Sequence, residues 1–391
     1  MLYTRRDVGK LALASVPLSM AFGAKINSKF GGVQIGAISY SFNRIASPDA
    51  TAIIKAMVEI GLGEVELMSN HCESLAGIPA APGRGGFGGG AGGPGGGAGG
   101  GAPGAGGAPG AAPGAAPGAA PGAGPGGGGA GRQGGAQAGG PGGAPGGAPG
   151  GGGGQGRGAG GGGGRAPLTP EQQAARDAAQ KPINDWRKAT TPATWKAVRK
   201  KWNDAGIDLA LLCYNMQDSM KDEDIEYGFI MAKGLGVKGI TTSTTLTMAK
   251  RIAPIADKYK LLVGYHGHDA TNDPNQTATL ESYDTLMAYG GYNGINLDIG
   301  HFTAAGYDAV EFIQKHHARI TNLHMKDRKK NHGPGVPWGT GDTPIKEVLQ
   351  LIKKNKYPIP CNLEWEIAIP QGSTLNAEMK NALEYCKKAL A

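Results

Sequence analysis

The segments GINLDIGH (residues 294–301) and ITNLHMKD (residues 320–327) begin with the alternating apolar and polar residues of β-strands and end in acid, imidazole and amine groups. Such groups are costly to bury unless they are paired or bound to a metal. Because two successive strands end in this way, we expect their carboxyl ends to face one common polar centre. The pattern of the surrounding chain indicates which fold brings these ends together.

Eight strand-like runs alternate with helix-like stretches along the chain. Several of the helix-like stretches end in glycine immediately before the next strand, as a helix C-cap should. Strand–helix alternation requires parallel pairing, and eight repeats favour a closed (β/α)₈ TIM barrel of the α/β class. The predicted strands are residues 33–39, 64–68, 208–214, 237–243, 261–268, 294–300, 320–327 and 361–367.

A long segment rich in glycine, alanine and proline follows the second predicted strand. Residues 79–168 contain repeats such as GAAPGAAPGAAPGAG and have no acidic residue. Such a composition cannot bury enough apolar surface to offset its ordering entropy, so we expect a disordered insertion within a loop. The predicted barrel then comprises residues 30–78 and 169–391. Without the insertion and the first 24 residues, about 280 residues remain, a normal size for one barrel.

The first 24 residues resemble a twin-arginine export signal. Arg5 and Arg6 precede Lys10 and a short apolar stretch that ends in small residues, with cleavage expected after Gly23 or Ala24. The stretch is too short and too rich in alanine and serine to favour a transmembrane span. We therefore expect a periplasmic or otherwise exported protein, without a transmembrane span once residues 1–24 are removed.

The net charge of +8 does not indicate a nucleic-acid partner. The predicted signal contributes +2 and the insertion +4, which leaves about +2 on the barrel, too little for a nucleic-acid surface. The four cysteines form no C-x-x-C pair, so a zinc ribbon or a redox motif is unsupported. These observations give no sign of a nucleic-acid partner or of a cysteine-bound zinc, and they do not predict an oligomeric state.

The polar residues of strands five to eight share one side of each strand. Alternate strand residues point to the same side, and polar side chains do not pack well against outer helices, so we expect this set inside the barrel. Barrels of this kind hold their active sites at the carboxyl ends of the strands. The predicted inward residues are His266, His268, Asn296, Asp298, Asn322, His324, Lys326, Glu364 and Glu366.

Two imidazoles and two carboxylates from four neighbouring strands form a ligand set for one divalent ion. We predict His268, Asp298, His324 and Glu364 as the ligands. Mixed nitrogen and oxygen ligation suits Mn²⁺, Zn²⁺, Co²⁺ or Fe²⁺ better than Ca²⁺, and the two histidines make Mg²⁺ a less suitable ion than these four. The alternative is a hydrogen-bonded polar cluster without a metal.

These segments together resemble the xylose isomerase-like barrels, specifically the sugar phosphate isomerase/epimerase group. The resemblance rests on VGYHGHD, NLDIGHFTAAG, ITNLHMKD, PWGTGD and CNLEWE, and GEVELMSNH fits the second strand of the family. In that group an acid or imidazole on strand five, an aspartate on strand six, a histidine on strand seven and a glutamate on strand eight hold the metal. The resemblance implies that Asp298, His324 and Glu364 are metal ligands.

Strand five departs from the pattern of many relatives, which have a glutamate at or shortly after its end. This chain has His266, His268 and Asp269 there, and Gln276 follows later. Two assignments are therefore open. In the first, His268 is the ligand and His266 is the base. In the second, His266 is the ligand and His268 is the base.

A centre of this kind supports proton abstraction next to a carbonyl group, with the metal stabilising an ene-diolate. A neutral imidazole can accept that proton, so His266 is the predicted base, and Glu364 would assist as ligand and proton carrier. Return of the proton gives a sugar isomerase or epimerase, which is the leading interpretation. Loss of a β-substituent would instead give a keto-sugar dehydratase or a 3-keto-glycoside lyase. A non-catalytic carbohydrate-binding barrel is the further alternative.

Six other residues are expected near the substrate. Glu66 and His71, at the end of strand two, are candidates for binding substrate hydroxyl groups or for a structural role. His301, Lys326 and Asp327 lie beside the proposed ligands and would contact the sugar or hold the ligands in place. In the PWGTGD loop, Trp338 would stack on a sugar ring or anchor the loop.

Overall fold

The computed structural model describes residues 24–45, 50–79 and 169–391, all of which fall within one compact unit. The predicted export signal and the predicted disordered insertion lie outside the described residues, except for Ala24 and Pro79. Among the described residues, no helix is long and apolar enough to cross a membrane. The four cysteines are buried free thiols.

Eight parallel strands close into a barrel, so the predicted (β/α)₈ TIM barrel is confirmed. Strands that are neighbours in sequence pair with each other, and the last pairs with the first, with Ile35 opposite Cys361. A two-residue strand, Lys29–Phe30, pairs antiparallel with the first barrel strand. The barrel strands are β1 (Val33–Ile38), β2 (Glu64–Met68), β3 (Asp208–Cys213), β4 (Gly239–Thr242), β5 (Leu262–His266), β6 (Asn293–Asp298), β7 (Ile320–Met325) and β8 (Cys361–Leu363).

Helices follow the strands and surround the barrel. The turn from helix to strand often uses a left-handed residue, such as Gly236 with φ 68°, a conformation that costs glycine little. Among the described residues, 3₁₀-helices span Ser39–Arg44 and His317–Arg319. The α-helices are α1 (Ala50–Ile60), α2 (Ser69–Ala76), α3 (Pro170–Ala189), α4 (Pro192–Asp204), α5 (Asp222–Leu235), α6 (Leu246–Tyr259), α7 (Leu280–Ala288), α8 (Ile299–Ala304), α9 (Ala309–His316), α10 (Ile345–Asn355) and α11 (Leu375–Leu390).

The apolar core lies between the strands and the helices, and the barrel interior is polar. Outward-facing strand residues such as Val65, Leu297 and Leu323 are fully buried in the apolar core. A buried polar layer lies inside the barrel, one step before the carboxyl ends of the strands. Its members are Glu66, Thr241, Asn296, Asn322 and Asn362.

Strands β5 to β8 end earlier than their predicted bounds. The Oδ1 atom of Asp298 accepts a hydrogen bond of 2.7 Å from the backbone N–H of His301, so this side chain caps α8 and ends β6. His268, Lys326 and Glu364 likewise lie just beyond β5, β7 and β8. The polar groups therefore occupy the first turns after the strands, where the barrel opens.

Candidate metal centre

Four side chains converge at the carboxyl ends of β5 to β8. His266 ends β5, Asp298 ends β6, His324 is the penultimate residue of β7, and Glu364 directly follows β8. One nitrogen or carboxylate oxygen of each lies within 4.8 Å of the corresponding atoms of the other three. All four residues are buried. The cluster therefore presents two imidazoles and two carboxylates to one small volume.

The two histidines of the strand-five region take different positions. His266 belongs to the buried four-residue cluster, whereas His268 groups with His266 and His301. The ring centroids of His266 and His268 are 4.8 Å apart, and His268 Nε2 lies 3.4 Å from the Ser243 hydroxyl oxygen. Of the two assignments left open by the sequence, this geometry matches the one in which His266 is the ligand.

The cluster has the donor atoms that a divalent ion would use. Within the described part of the chain, His266 Nδ1 is buried and has no hydrogen-bond partner, whereas the buried Asp298 Oδ2 is paired with the Lys326 ammonium group at 2.8 Å. Buried polar atoms are normally paired, and an unpaired one costs about 1–3 kcal/mol. Mixed nitrogen and oxygen donors suit Mn²⁺, Zn²⁺ or Co²⁺. The residues present therefore fit such an ion.

Lys326 supplies a positive charge at the edge of the cluster. Its Nζ lies 2.8 Å from Asp298 Oδ2 and 3.1 Å from Glu364 Oε2, and it also contacts the Glu366 carboxylate. Burial by itself lowers the pKa of Lys326, but attraction to these three carboxylates outweighs burial and raises the pKa well above its usual value. The ammonium group is therefore a permanent internal counterion of the carboxylates.

Burial keeps two of the histidines neutral. It lowers the pKa of His266 well below its usual value, and repulsion from His324 and His268 lowers it further. Burial, with repulsion from His301, lowers the pKa of His268 to about 3. A neutral imidazole has a free lone pair, so both rings can bind a metal ion or accept a proton at neutral pH.

Glu66 lies beneath the cluster and is fully buried. Its Oε2 lies 2.8 Å from His324 Nε2 and accepts a hydrogen bond of 2.8 Å from the Asn322 side chain. Its Oε1 accepts a hydrogen bond from the Thr241 hydroxyl group. Both carboxylate oxygens therefore form hydrogen bonds inside the barrel, and the contact of Glu66 with the cluster is the one with His324.

His71 is buried beside the 3₁₀-helix that follows β1. Its Nδ1 lies 3.0 Å from the Ser39 hydroxyl oxygen, and its Nε2 lies 3.1 Å from Asn43 Oδ1. The Ser39 oxygen also accepts a hydrogen bond from the backbone N–H of Met68. Burial lowers the pKa of His71 to about 4. The neutral His71 ring therefore joins α2 to the segment after β1, and the Met68 N–H joins β2 to the same segment.

Asp327 and Trp338 hold the glycine-rich loop after β7 in place. The Asp327 carboxylate accepts hydrogen bonds from the backbone N–H groups of Gly339 at 2.9 Å and Gly341 at 2.8 Å. A Cβ atom at position 341 would lie 1.9 Å from Asp327 Oδ1, so this close approach requires glycine. The Trp338 ring packs edge-on against Tyr385 of α11. Both contacts are those of loop anchors.

A second polar group flanks the cluster at the mouth. His301 Nδ1 lies 3.1 Å from Asp269 Oδ1 and also contacts Arg328. The Arg328 guanidinium group donates a hydrogen bond of 3.0 Å to Asp269 Oδ2. Burial raises the pKa of Asp269, but His301 and Arg328 outweigh it and hold the pKa well below its usual value. Sequence reasoning missed Arg328, although it directly follows the Lys326–Asp327 pair.

Tyr40 is another residue at the mouth that the sequence reasoning missed. It directly follows the first residue after β1 and is 43% exposed. Burial raises the pKa of Tyr40, and the nearby carboxylates of Glu366 and Glu364 raise it further. Arg44 holds the facing segment by donating a hydrogen bond of 2.9 Å to the backbone carbonyl of Glu366. An aromatic residue immediately after a barrel strand was the available signal.

Several solved structures are similar to this chain at low identity. A putative uncharacterized protein from Parabacteroides distasonis is 15% identical, with 91% of this chain and 99% of that chain covered and a TM-score of 0.47. The probable 3-DHS dehydratase involved in petrobactin synthesis from Bacillus anthracis is 14% identical, with 92% of this chain and 98% of that chain covered and a TM-score of 0.48. The 3-keto-D-glucoside 4-epimerase from E. coli is 13% identical, with 50% of this chain and 85% of that chain covered and a TM-score of 0.41. No curated protein matches the chain.

Residues 244–389 match the family model described as xylose isomerase-like TIM barrel. This range begins after β4 and contains all four residues of the buried cluster. The resemblance drawn from the strand-end segments is therefore confirmed. Over residues 244–389 the chain is similar to the xylose isomerase-like TIM barrel family.

Proposed function

We propose that this protein is a divalent-metal-dependent sugar isomerase or epimerase. The observation that carries the proposal is the buried cluster of His266, Asp298, His324 and Glu364 at the mouth of a xylose isomerase-like barrel. These four residues would hold the ion. A bound Mn²⁺, Zn²⁺ or Co²⁺ would polarise adjacent carbonyl and hydroxyl oxygens of the sugar and so acidify the carbon next to the carbonyl group.

His268 is the residue that best fits the role of proton acceptor. It lies beside the cluster, is only partly buried, and has the free lone pair of a neutral ring. A pKa of about 3 keeps it neutral at pH 7 but makes it a weak base. The reaction therefore depends on the acidity that the bound ion gives to the substrate.

Glu366 lies on the β8 side of the cluster and is the candidate for the second acid–base group, which would take a proton from water and deliver it to the substrate. Its side chain is 38% exposed, and it contacts the Lys326 ammonium group. His268 and Glu366 come from different strand ends, so they can approach a bound sugar from different sides. Two acid–base groups on different sides of one carbon give epimerisation, and transfer to the neighbouring carbon gives isomerisation.

His301 and Arg328 are suited to orient the sugar. Asp269 fixes both side chains through contacts of 3.1 and 3.0 Å, so little conformational freedom is lost when they bind a ligand. Both are partly exposed at the mouth. We assign them hydrogen bonds to the carbonyl and hydroxyl oxygens of the substrate, which is a carbohydrate in this proposal.

The test is proton exchange in deuterated water. Metal-loaded protein is incubated with keto-sugars and 3-keto-glycosides, and the products are followed by NMR. Deuterium next to the carbonyl group of an isomerised or epimerised product supports the proposal, whereas loss of a β-substituent identifies a lyase on the same site. His268→Gln should abolish exchange at unchanged metal content, and the control His316→Gln on α9 should retain it. A metal-loaded wild type that binds these sugars without exchange overturns the proposal.

We also propose export through the twin-arginine pathway. Support comes from Arg5 and Arg6 ahead of a short apolar stretch. That pathway carries folded proteins, often with a cofactor in place, which suits a buried metal centre. Export would favour glycosides and oxidised sugars over phosphorylated sugars as substrates. Arg5→Lys/Arg6→Lys should leave the full-length chain in the cytoplasm, and equal export of this variant and the wild type contradicts the proposal.

A further inference from the structure

Glu66 is the buried carboxylate nearest to the cluster that the proposed reaction does not use. It lies on β2, on the opposite arc of the barrel from most of the cluster, and it is 258 positions from His324 in sequence. Its side chain is fully buried, and it contacts the His324 ring directly. Its position calls for a physical role at the metal centre.

The hydrogen bonds around Glu66 determine the tautomer of His324. An ionised carboxylate only accepts hydrogen bonds, and Glu66 receives them from Thr241 and Asn322. His324 Nε2 lies 2.8 Å from Glu66 Oε2 and 3.2 Å from the Asn296 amide nitrogen, so the shorter contact favours a proton on Nε2 that is donated to Glu66. His324 Nδ1 lies 3.2 Å from Glu364 Oε2, inside the cluster, and it is the ring nitrogen that would face an ion held by Glu364.

We infer that Glu66 is a positioning residue that holds the His324 ring with Nε2 protonated and Nδ1 directed at the bound ion. This inference rests on the proposed metal-dependent function. A metal-binding histidine commonly donates its other ring N–H to a carboxylate, which orients the ring and increases its basicity. Glu66 supplies that carboxylate from across the barrel, and Asn322 and Thr241 fix the carboxylate in turn.

The chain offers a matched control on the same strand. Glu64 is also buried and also faces the barrel interior, two residues before Glu66. Co²⁺ affinity is measured by competition with a chromophoric chelator for the wild type, Glu66→Gln and Glu64→Gln. The visible spectrum of the Co²⁺-loaded protein reports the ligand geometry independently of activity. ¹⁵N-histidine NMR of the Zn²⁺-loaded protein reports which nitrogen of His324 is protonated.

Glu66→Gln should weaken Co²⁺ binding about 10- to 100-fold and alter the visible spectrum, since a supporting carboxylate typically contributes that much. Glu64→Gln should change neither property. If Glu66→Gln does not fold, Glu66→Asp replaces it, because it keeps the charge but withdraws the carboxylate from His324 by one methylene group, and it should weaken binding as well.

A folded Glu66→Gln protein with wild-type affinity and spectrum overturns the positioning role, and the metal centre itself then stands. An NMR spectrum in which His324 Nδ1 carries the proton in the Zn²⁺-loaded wild type also overturns it. A wild type that binds no Co²⁺ overturns the proposed function first, and the positioning role with it.

Discussion

Glu64→Gln should stabilise the protein at neutral and alkaline pH. Glu64 is the first residue of β2, is buried in the barrel, and has an Oε1 atom without a hydrogen-bond partner among the residues that the structure describes. Burial raises the pKa of Glu64 to about 7, although Lys238 opposes the shift. Glutamine has nearly the same shape but never ionises, so the substitution removes the cost of a buried charge.

The size and sign of the effect follow from linkage. In the unfolded chain the Glu64 pKa is near 4.5, so between pH 4.5 and about 7 the unfolded state releases this proton more readily than the folded state. Folding stability from this residue is therefore fully present below pH 4.5 and is lost as pH rises through the folded pKa. Each pKa unit is worth about 1.4 kcal/mol, which gives an upper limit of about 3 kcal/mol above pH 8.

Urea unfolding of the wild type and Glu64→Gln at pH 4.5 and pH 8 measures the difference. We expect the variant to gain about 2–3 kcal/mol at pH 8, because the new amide group recovers only part of its hydrogen bonding, and to gain almost nothing at pH 4.5. An equal gain at both values, or none at pH 8, would refute the reasoning from the raised pKa.

Three further substitutions test other contacts. The pKa of His71 is lowered to about 4, so the unfolded chain binds a proton at this residue before the folded chain does, and the protein should lose stability as pH falls from about 6.5 to 4. In urea titrations across this pH range, His71→Gln should reduce that loss of stability. Arg187→Ala should lower the unfolding free energy by about 2 kcal/mol, because it leaves the Glu73 carboxylate, 6% exposed, without its charged partner at 2.7 Å. Tyr227→Phe removes only a hydroxyl group that donates to the same carboxylate and should lower the unfolding free energy less. Equal losses in the two variants would contradict this ranking. Lys326→Met should lower the stability of the metal-free protein by about 3 kcal/mol, because the buried carboxylates lose their counterion. In a calorimetric titration the variant should bind Mn²⁺ more tightly, since no ammonium group then competes with the ion for these carboxylates. Weaker Mn²⁺ binding by the variant would contradict this competition between Lys326 and the ion.

The fold could be predicted from local signals. Strand–helix alternation, glycine before the strands and the parity of polar residues are all properties of short segments, and together they placed the strand ends near one another. The same parity placed Asp298, His324 and Glu364 on one inner surface, where the structure brings them together with His266.

The contacts across the barrel could not be predicted in this way. Glu66 lies beneath His324 because opposite strands meet inside a closed barrel, and no sequence pattern encodes which interior residues touch. The choice between His266 and His268 depends on where β5 ends. Asp269, His301 and Arg328 meet because the loops after β5 and β7 and the first turn of α8 lie at the same mouth. Strand ends are also set by capping, as at Asp298, which periodicity does not register.

Metal content is the most direct test of the central claim. The wild type and Asp298→Ala/His324→Ala are purified without added metal and analysed by mass spectrometry, and circular dichroism confirms that both are folded. We expect about one transition-metal ion per chain in the wild type and its loss in the variant. A folded wild type that stays metal-free after reconstitution with Mn²⁺, Zn²⁺ and Co²⁺ would contradict the metal centre and the reaction proposed for it.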